Sequence, residues 1–492
     1  MNNPRGFILL LTFAFLIVLV QLVAALTILL GGETLDIGGQ WDDKKLLYLA
    51  DAGVERALRE IRNDYTSTTQ IGAAYLRASD STGSSSVGSI GNIFYFGDGT
   101  ATINNNSDIA QVRTFDSNYV NTRIISVSLG IRADRNSGGT GATVQVAYTT
   151  NGTFPQIGNA ALTQVLTTTT TDYFQDITGD RTWTWPTITS SNFILRAQRT
   201  AGNRAINVDS LFLKVTYAID TLTESWATGT YQTYPISLGA GTVQSVSITD
   251  EQSKVHLNTA SQTLLSDLMQ EAGIASGTAA TLAANIVSYR GTKPFDSVEE
   301  LQQVTAMTTA NYNLIKDYVT VYSFINTNAL RPTGNRAPVN INTAPRQVLE
   351  AIFDSLALGA TDAASLATDI MSTRAATPFT CFYSADPAVT TDFYDFVFAR
   401  AYLSASGNPD ERDRVLDNAD ASSLIPVDGS NTFSAVSTEF CYDSGAFKVE
   451  SVATVGGRSV RVKTILNNLG SKTFTTFTGD TTSVGTRKEN FE

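Results

Sequence analysis

The sequence predicts an α+β protein with an N-terminal membrane-spanning helix. Three observations predict it: an uncharged apolar run over residues 7–30, a series of short alternating segments over 91–220, and a helical pattern that occurs twice with an offset of 84 residues. At roughly 150 residues per domain, 492 residues suffice for about three folded units. We expect an antiparallel sheet interrupted by the duplicated helical domain, with a β-sandwich inserted before it.

The composition excludes several classes of function. The chain carries 34 basic and 46 acidic residues, a formal net charge of −12, which disfavours a general affinity for nucleic acid. It contains one histidine and two cysteines, too few for most zinc sites and most histidine-dependent triads. No Gly-x-Ser-x-Gly elbow is present either. We therefore expect no enzymatic activity.

The apolar run over residues 7–30 has the length of a membrane span. About 24 residues at a rise of 1.5 Å extend roughly 36 Å, more than the hydrocarbon thickness of about 30 Å. Arg5 precedes the run, so the short end should stay in the cytoplasm while the body crosses the membrane. The alternative is a secretory signal peptide cleaved near residues 23–25, although its apolar core would be unusually long.

The leader then suggests a family. Met1 to Gly6 is short and basic, Phe7 follows the glycine, and the apolar run is unbroken, which resembles type IV pilin-like leaders. The resemblance implies cleavage between Gly6 and Phe7 by a prepilin peptidase and methylation of the new N-terminus. That family usually has Glu at the fifth mature position, where this chain has Leu11. Absence of this Glu marks the K-type minor pseudopilins of type II secretion, the proposed tip subunits. The alternative is that the resemblance is false and Leu11 is an ordinary apolar residue of the membrane helix.

Residues 31–63 predict an amphipathic stalk helix. The segment 44–62 places apolar side chains on one stripe: Leu46, Leu47, Ala50, Val54, Ala57, Leu58 and Ile61. The phrase at 50–57 resembles the segment that follows the membrane helix in minor pilins and K-type pseudopilins. The Ser/Thr/Gly-rich residues 64–90 predict a linker.

Residues 91–220 predict an inserted β-sandwich. Its alternating runs, rich in β-branched residues and separated by Gly, Asn and Asp, are typical of antiparallel strands. Its shape is similar to jelly-roll carbohydrate-binding domains, but no motif matches that group. Trp183, Trp185 and Tyr173 more often belong to a core than to a sugar platform. An adhesive pilin with a glycan-binding sandwich remains an alternative function.

The duplication covers residues 255–335 and 336–440, after strands predicted over 221–254. The stretch 255–260 aligns with 339–344, and 283–295 aligns with 367–379. Each copy predicts an extended entry, a helix, a connection, a second helix and a Pro-Phe turn, with Thr259 and Thr343 as helix N-caps. His256, aligned with Asn340, is predicted to make a structural polar contact.

This layout is similar to helix-hairpin-helix modules, and residues 250–260 resemble the strand-to-helix junction of K-type pseudopilins. Helix-hairpin-helix folds can grip DNA phosphates, so a DNA-uptake receptor is the second alternative. The charge opposes it: residues 255–323 carry 3 basic and 6 acidic side chains, and residues 339–403 carry 3 and 7. A scaffold or protein-contact role is favoured.

The two cysteines and several carboxylates lie in the second copy. Outside the cytoplasm Cys381 and Cys441 can form a disulfide, which we predict over free thiols. The K-type resemblance implies calcium in the large domain, which needs several oxygen ligands. The candidate ligands, which lack EF-hand spacing and could instead be solvated loop caps, are Asp386, Asp392, Asp395, Asp417, Asp420 and Asp428.

Residues 441–469 predict C-terminal pilin-type strands, joined by Gly456-Gly457, and residues 470–492 predict a flexible tail. The K-type resemblance covers the leader, 44–62, roughly 245–400 and the final hairpin. It implies an inner-membrane protein with a periplasmic body that initiates and caps a short fibre for protein export. The implied partners are other minor pseudopilins, the prepilin peptidase, the inner-membrane assembly platform and secreted cargo.

Overall fold

A computed structural model describes most of the chain. The described residues are 19–23, 42–65, 71–81, 87–94, 96–97, 99–115, 123–153, 161–239, 241–323, 337–383, 392–403, 410–419, 440–467, 472–479 and 488–489. The mixture of helices and antiparallel strands confirms the α+β class. Within these residues the structure contains no helix that is both long and apolar enough to cross a bilayer.

The first long helix, α1, covers residues 42–65. The predicted apolar stripe is its buried face: Leu46, Ala50, Val54, Ala57, Leu58 and Ile61 are each at most 6% exposed. Leu47 departs from the prediction, because it is 38% exposed on the flank of the helix.

A nine-stranded barrel-like sheet follows α1. Its elements are β1 (Ile71–Ser81), β2 (Ala101–Ile103), β3 (Ile109–Phe115), β4 (Ile124–Arg135), β5 (Ala142–Thr149), β6 (Leu162–Val165), β7 (Thr171–Asp176), the one-turn helix α2 (Trp185–Ile188), β8 (Ile194–Gly202) and β9 (Ile206–Ala218). The strand order is β6-β5-β8-β3-β1-β9-β4-β7, with β2 also paired to β9. Strand β1 pairs first with β9 and then with β3, so the sheet folds over at β1 and encloses a core that continues into the helical domain.

The linker predicted over residues 64–90 is wrong in part, because this sheet begins within it. Residues 71–81 form β1, and they bury Ala74, Tyr75, Leu76 and Ala78. The Ser/Gly-rich composition that predicted a linker belongs to residues 80–90, whereas residues 71–78 are largely apolar. The β module therefore begins at 71 instead of 91.

The chain then reaches the short helix α3 (Ser225–Thr228) and two strands, β10 (Ile236–Leu238) and β11 (Gly241–Asp250). The first helical copy comprises β12 (Val255–His256), α4 (Gln262–Glu271), α5 (Ser276–Thr292), α6 (Thr309–Ile315) and β13 (Val319–Thr320). The second comprises β14 (Val339–Asn340), α7 (Arg346–Ser355), α8 (Ala360–Ala376), α9 (Phe393–Phe398), α10 (Glu411–Ala419) and β15 (Phe440–Cys441).

The predicted duplication is confirmed at the level of elements. The bounds of α7 and α8 are those of α4 and α5 shifted by 84 residues, from 262 to 346 and from 276 to 360. Each copy is closed by a short parallel strand pair, β12 with β13 and β14 with β15. The copies differ after the Pro-Phe turn, where the second inserts a longer segment before its closing strand.

The predicted N-caps are wrong by two residues. Ser261 caps α4 by accepting a hydrogen bond from the Leu264 amide, and Pro345 occupies the equivalent position before α7. Thr259 and Thr343 lie in the preceding turn instead. The Asn-Thr-Ala pattern therefore marks the turn between the entry strand and the helix.

The last strands are β16 (Ala446–Val455), β17 (Arg458–Asn467), β18 (Lys472–Gly479) and β19 (Lys488–Glu489). They complete a six-stranded antiparallel sheet in the order β10-β11-β16-β17-β18-β19. The predicted Gly-Gly hairpin is present, because Gly456 and Gly457 both adopt positive φ between β16 and β17. The prediction of a flexible tail over residues 470–492 is wrong in part, because this segment contains β18 and β19.

Helix α1 packs on this six-stranded sheet. Its buried stripe forms one cluster with Trp226, Val246, Phe447 and Val449. The approach is close at Gly53, where a Cβ atom would lie 2.2 Å from Ser451 Oγ and 2.9 Å from Val246 Cγ2. Neighbouring strands β11 and β16 are separated in sequence by the whole helical domain, which is therefore an insertion into the sheet.

Candidate functional site

The processing residues predicted in the leader, Gly6 and Phe7, lie outside the described residues. Within the apolar run the structure describes residues 19–23, which are helical. Their side chains Leu19, Val20, Leu22 and Val23 are 48–62% exposed. No described residue tests whether this segment anchors the chain in a membrane, so the anchor stays a prediction.

The two helical copies use the same side chains to hold their Pro-Phe turns. Asn342 donates through Nδ2 to the Phe379 carbonyl at 2.8 Å and accepts from the Phe379 amide at 2.9 Å. Asn258 makes the equivalent pair of bonds to Phe295 at 2.9 and 2.8 Å. The conserved geometry of the two copies makes these turns rigid parts of a scaffold.

Arg290 and Arg374, which are aligned in the two copies, also face inward. Arg290 donates to the Leu257 carbonyl at 2.6 Å, and Arg374 donates to the carbonyls of Ile341 and Ala344 at 2.6 Å. Burial lowers the pKa of Arg374 to about 10, and Arg374 is only 7% exposed. The buried Arg374, with two of its donors on backbone carbonyls, is not available to phosphates, which adds to the charge argument against DNA binding.

The single histidine is structural, as predicted. His256 is 4% exposed, and its two ring nitrogens contact the Val321 carbonyl at 3.1 Å and Thr259 Oγ1 at 3.2 Å. Burial lowers the pKa of His256 to about 4, so the ring is neutral at pH 7.

The tryptophans of the β module belong to its core. Trp183 and Trp185 are 8% and 3% exposed, and the Trp183 indole donates to the Ile177 carbonyl at 2.9 Å. Tyr173 is half-buried against the same core. These residues therefore do not form an exposed aromatic platform for a sugar.

Cys381 and Cys441 are both buried, and the disulfide predicted between them stays a prediction. Cys441 lies in β15 opposite Asn340. The backbone of Cys381 pairs with that of Asp392 in an isolated parallel β-bridge. Burial, together with the charge of Asp443, raises the pKa of the Cys441 thiol well above its usual value, so the thiolate needed for oxidation is disfavoured.

The calcium candidates of the second copy are not assembled into a site among the described residues. Asp392 is the N-cap of α9 and accepts a hydrogen bond from the Asp395 amide at 2.7 Å, so the two share a capping contact. Asp417 lies in α10. Asp386, Asp420 and Asp428 fall outside the described residues, and their predicted role stays a prediction.

The described residues instead bring together carboxylates that the sequence did not single out. Asp64 lies near the end of α1, Asp220 and Glu224 lie between β9 and α3, and each offers one oxygen within 4.8 Å of the others. A small cavity beside them is lined by Asp64, Asp220 and Asp443. The backbone amide of Ser444 donates to Asp220 at 2.5 Å, which joins the loop before β16 to the group.

The electrostatics of this acidic cluster, defined as Asp64, Asp220, Glu224 and Asp443, are unusual. Burial, then the charges of Glu224 and Asp64, raise the pKa of Asp220 well above its usual value. Burial and the charge of Asp64 raise the pKa of Glu224 to about 8. Burial and the charge of Asp250 likewise raise the pKa of Asp443. The cluster therefore favours either bound protons or a cation.

Sequence reasoning missed the cluster because its members come from three distant segments and follow no motif. A weak indication was available at Asp64, which comes three residues after the last member of the apolar stripe of α1. Nothing local distinguishes Asp220, Glu224 or Asp443 from ordinary loop carboxylates.

Comparison with known proteins identifies one part of the chain. A family model described as a helix-hairpin-helix motif matches residues 250–320. Residues 250–320 match that motif, which confirms the layout predicted for the first helical copy. No curated protein matches the chain.

Three solved structures overlap with parts of the fold. The GspK-GspI-GspJ complex of the Type 2 Secretion System from enterotoxigenic Escherichia coli is 15% identical, with a TM-score of 0.33, over 56% of this chain and 88% of that chain. The Agl-KA catalytic domain is 11% identical, with a TM-score of 0.20, over 38% and 30% of the two chains. The CBM22-1 xylan-binding domain of Paenibacillus barcinonensis Xyn10C is 11% identical, with a TM-score of 0.17, over 30% and 87%. Similarities this low carry no functional argument.

Proposed function

We propose that this chain is a minor pseudopilin-like subunit of the K type, which initiates and caps a short fibre of a type II secretion or related system. One observation carries the proposal. An amphipathic N-terminal helix lies on an antiparallel sheet, and a helix-hairpin-helix domain is inserted between the neighbouring strands β11 and β16. The leader, with Gly6 before Phe7 and Leu11 in place of Glu, supports the same assignment.

The proposed mechanism is mechanical. After removal of the leader, the apolar segment packs among the helices of other minor subunits, and α1 continues it into the periplasm. The two inserted units enlarge the head far beyond the helix and its sheet, so another subunit cannot add above it. Leu11 suits this position, because a subunit without a neighbour above has no terminal amine to pair with a buried carboxylate.

The remaining roles belong to other chains under this proposal. The subunit is stored in the inner membrane with its body in the periplasm, and it performs no catalysis. A prepilin peptidase cleaves it, an inner-membrane platform assembles it, and other minor pseudopilins are its direct partners. Secreted cargo is pushed by the growing fibre.

Co-expression with a prepilin peptidase tests the proposal. Intact-mass measurement should show loss of the first six residues and an N-terminus at Phe7. The Gly6→Leu variant is the control, and it should remain uncut because the peptidase acts after a glycine. A wild-type chain that keeps Met1, or that begins near residue 26, contradicts the proposal.

The position in the fibre is tested separately with Leu11→Glu. In a tip subunit the new carboxylate meets no partner amine inside the apolar bundle. We therefore expect fewer fibres to form with this variant than with the wild-type chain. Counting fibres by electron microscopy, with Leu9→Glu as a control for the charge alone, provides the measurement. Incorporation of the Leu11→Glu chain along the fibre shaft would argue against a capping role.

A further inference from the structure

The acidic cluster lies where three segments of the chain meet. Asp64 comes from the end of α1, Asp220 and Glu224 from the segment that leaves the β module, and Asp443 from the loop that enters β16. These segments are also the points at which both inserted units join the six-stranded sheet. A ligand held here would connect α1 to both junctions.

The spacing of the carboxylates suits one shared cation. Asp64, Asp220 and Glu224 each offer one oxygen, and these oxygens lie within 4.8 Å of one another. Two oxygens bound to the same calcium ion at about 2.4 Å can be separated by at most about 4.8 Å. The centre of a water molecule can occupy about 20 Å³ in the adjoining cavity, which is enough room for a single water or ion.

Asp443 supplies an independent observation. Its side chain is 3% exposed and lines the same cavity, yet neither carboxylate oxygen accepts a hydrogen bond from another described residue. A buried carboxylate without a donor is costly, and such groups in native proteins are normally satisfied by a ligand, water or an ion. A cation or a water molecule in the cavity would satisfy this carboxylate.

The other members are held in place by neutral donors that leave their charge uncompensated. Glu224 accepts from the Thr221 amide at 2.7 Å and from the Trp226 indole at 3.0 Å, and Asp220 accepts from the Ser444 amide. Arg123 also lines the cavity and contributes one positive charge. Four carboxylates against one guanidinium leave a local excess of negative charge, which attracts a multivalent cation.

We propose that Asp64, Asp220 and Glu224 bind one hard divalent cation of the calcium type beside the buried Asp443 carboxylate, and that the cation fastens α1 to the segments that carry the β module and the helical domain. The site uses only oxygen ligands, as calcium prefers. Its ligands are not the carboxylates of the second helical copy, where the Asp392 side chain caps α9 by accepting a hydrogen bond from the Asp395 backbone amide. The proposal does not depend on the fibre role.

Terbium luminescence on the full chain in detergent tests the site directly. Tb³⁺ replaces Ca²⁺ at oxygen sites, and the Trp226 indole, hydrogen-bonded to Glu224, should sensitise its emission. We expect saturable emission that Ca²⁺ displaces, and a thermal unfolding midpoint several degrees higher in Ca²⁺ than in EDTA. Absence of both effects would overturn the proposal.

Variants locate the ion. Asp64→Asn and Glu224→Gln should each weaken Tb³⁺ and Ca²⁺ binding at least tenfold, and Asp443→Asn, which removes a nearby negative charge, should weaken it less. Asp395→Asn is the matched control in the second helical copy and should bind as the wild type does. Binding that is lost in Asp395→Asn but kept in Asp64→Asn would place the ion elsewhere and refute the proposal. If Asp443→Asn fails to fold, the two half-buried positions Asp64 and Glu224 still decide the question.

Discussion

Asn258 and Asn342 make the same two hydrogen bonds in different surroundings, which allows the cost of losing them to be compared. Asn342 is 1% exposed, whereas Asn258 is half-buried. Replacing either by Ala removes both bonds to the backbone of the following Pro-Phe turn. Where water cannot enter, the freed amide and carbonyl stay unsatisfied, and each costs roughly 1–3 kcal/mol.

We therefore expect Asn342→Ala to lower the free energy of unfolding of the helical domain by about 2 kcal/mol or more, and Asn258→Ala to lower it less. Urea denaturation followed by circular dichroism measures both. An equal or larger loss in Asn258→Ala would mean that water access does not set the cost.

His256 provides a second prediction at the residue scale, in its pH dependence. Its folded-state pKa of about 4 lies below the unfolded value of 6.5, so the unfolded chain binds more protons between these pH values. The contribution of the neutral ring to stability is therefore present above pH 6.5 and is lost as pH falls towards 4. As the single histidine of the chain, it gives one imidazole signal by NMR.

We expect that signal to titrate with a midpoint near 4, and not near 6.5. His256→Asn, which copies the residue at Asn340 in the duplicate, should reduce the loss of stability between pH 6.5 and 4. The carboxylates that titrate in the same range are common to both proteins and cancel in the comparison. A midpoint near 6.5 would show that the ring is accessible to water.

Among the elements, the contact between α1 and the six-stranded sheet depends on Gly53. A methyl group at this position would overlap Ser451 Oγ and Val246, which would push the helix away from the sheet. Gly53→Ala should therefore destabilise the protein although Ala favours helices. Gly291→Ala in α5, where nothing lies within 4 Å of the added atom, is the matched control.

We expect Gly53→Ala to lower the unfolding midpoint of the sheet and Gly291→Ala to leave stability unchanged or raise it by up to about 1 kcal/mol. Adding Ser451→Ala to Gly53→Ala should restore part of the loss, because it removes the nearest atom. Equal effects of the two glycine substitutions would mean that α1 is not held close to the sheet.

At the scale of the whole molecule, the chain enters and leaves the β module at one point. Ile71 pairs with Ala218 across β1 and β9, so the two ends of the module are adjacent. Paired strands are about 5 Å apart, a distance that a short Gly-Ser linker spans. The module touches the helical domain, where Tyr217 donates to the Thr380 carbonyl at 3.0 Å.

Excision of residues 71–218 should consequently leave α1, the six-stranded sheet and the helical domain folded. We expect helical circular dichroism and one cooperative thermal transition, at a lower midpoint because the apolar contacts with the helical domain and the Tyr217 bond to Thr380 are lost. A shortened chain that carries the Gly53→Ala change is the control for a damaged sheet. An unfolded or aggregated deletion protein would show that the module is an integral part of the core.

Particular residues show how far the sequence could predict this molecule. The stripe from Leu46 to Ile61 and the repeat beginning at Val255 and Val339 were recognisable because helix periodicity and duplication are written in neighbouring residues. Strand β1 was missed because its largely apolar residues 71–78 precede a Ser/Gly-rich tract that dominates the local composition. The caps at Ser261 and Pro345 were missed because an extra turn separates the entry strand from each helix.

The sequence by itself determined the α+β class, the buried face of α1, the duplicated helical domain and the acidic charge that opposes DNA binding. All of these follow from local pattern or from a sum over residues. Only the tertiary structure decided that the helical domain interrupts two neighbouring strands, that Arg290 and Arg374 point inward, and that Asp64, Asp220, Glu224 and Asp443 meet at one cavity. The physical reason is that such contacts join residues from about thirty to several hundred positions apart, and their chemistry arises from shared burial, which no local segment specifies.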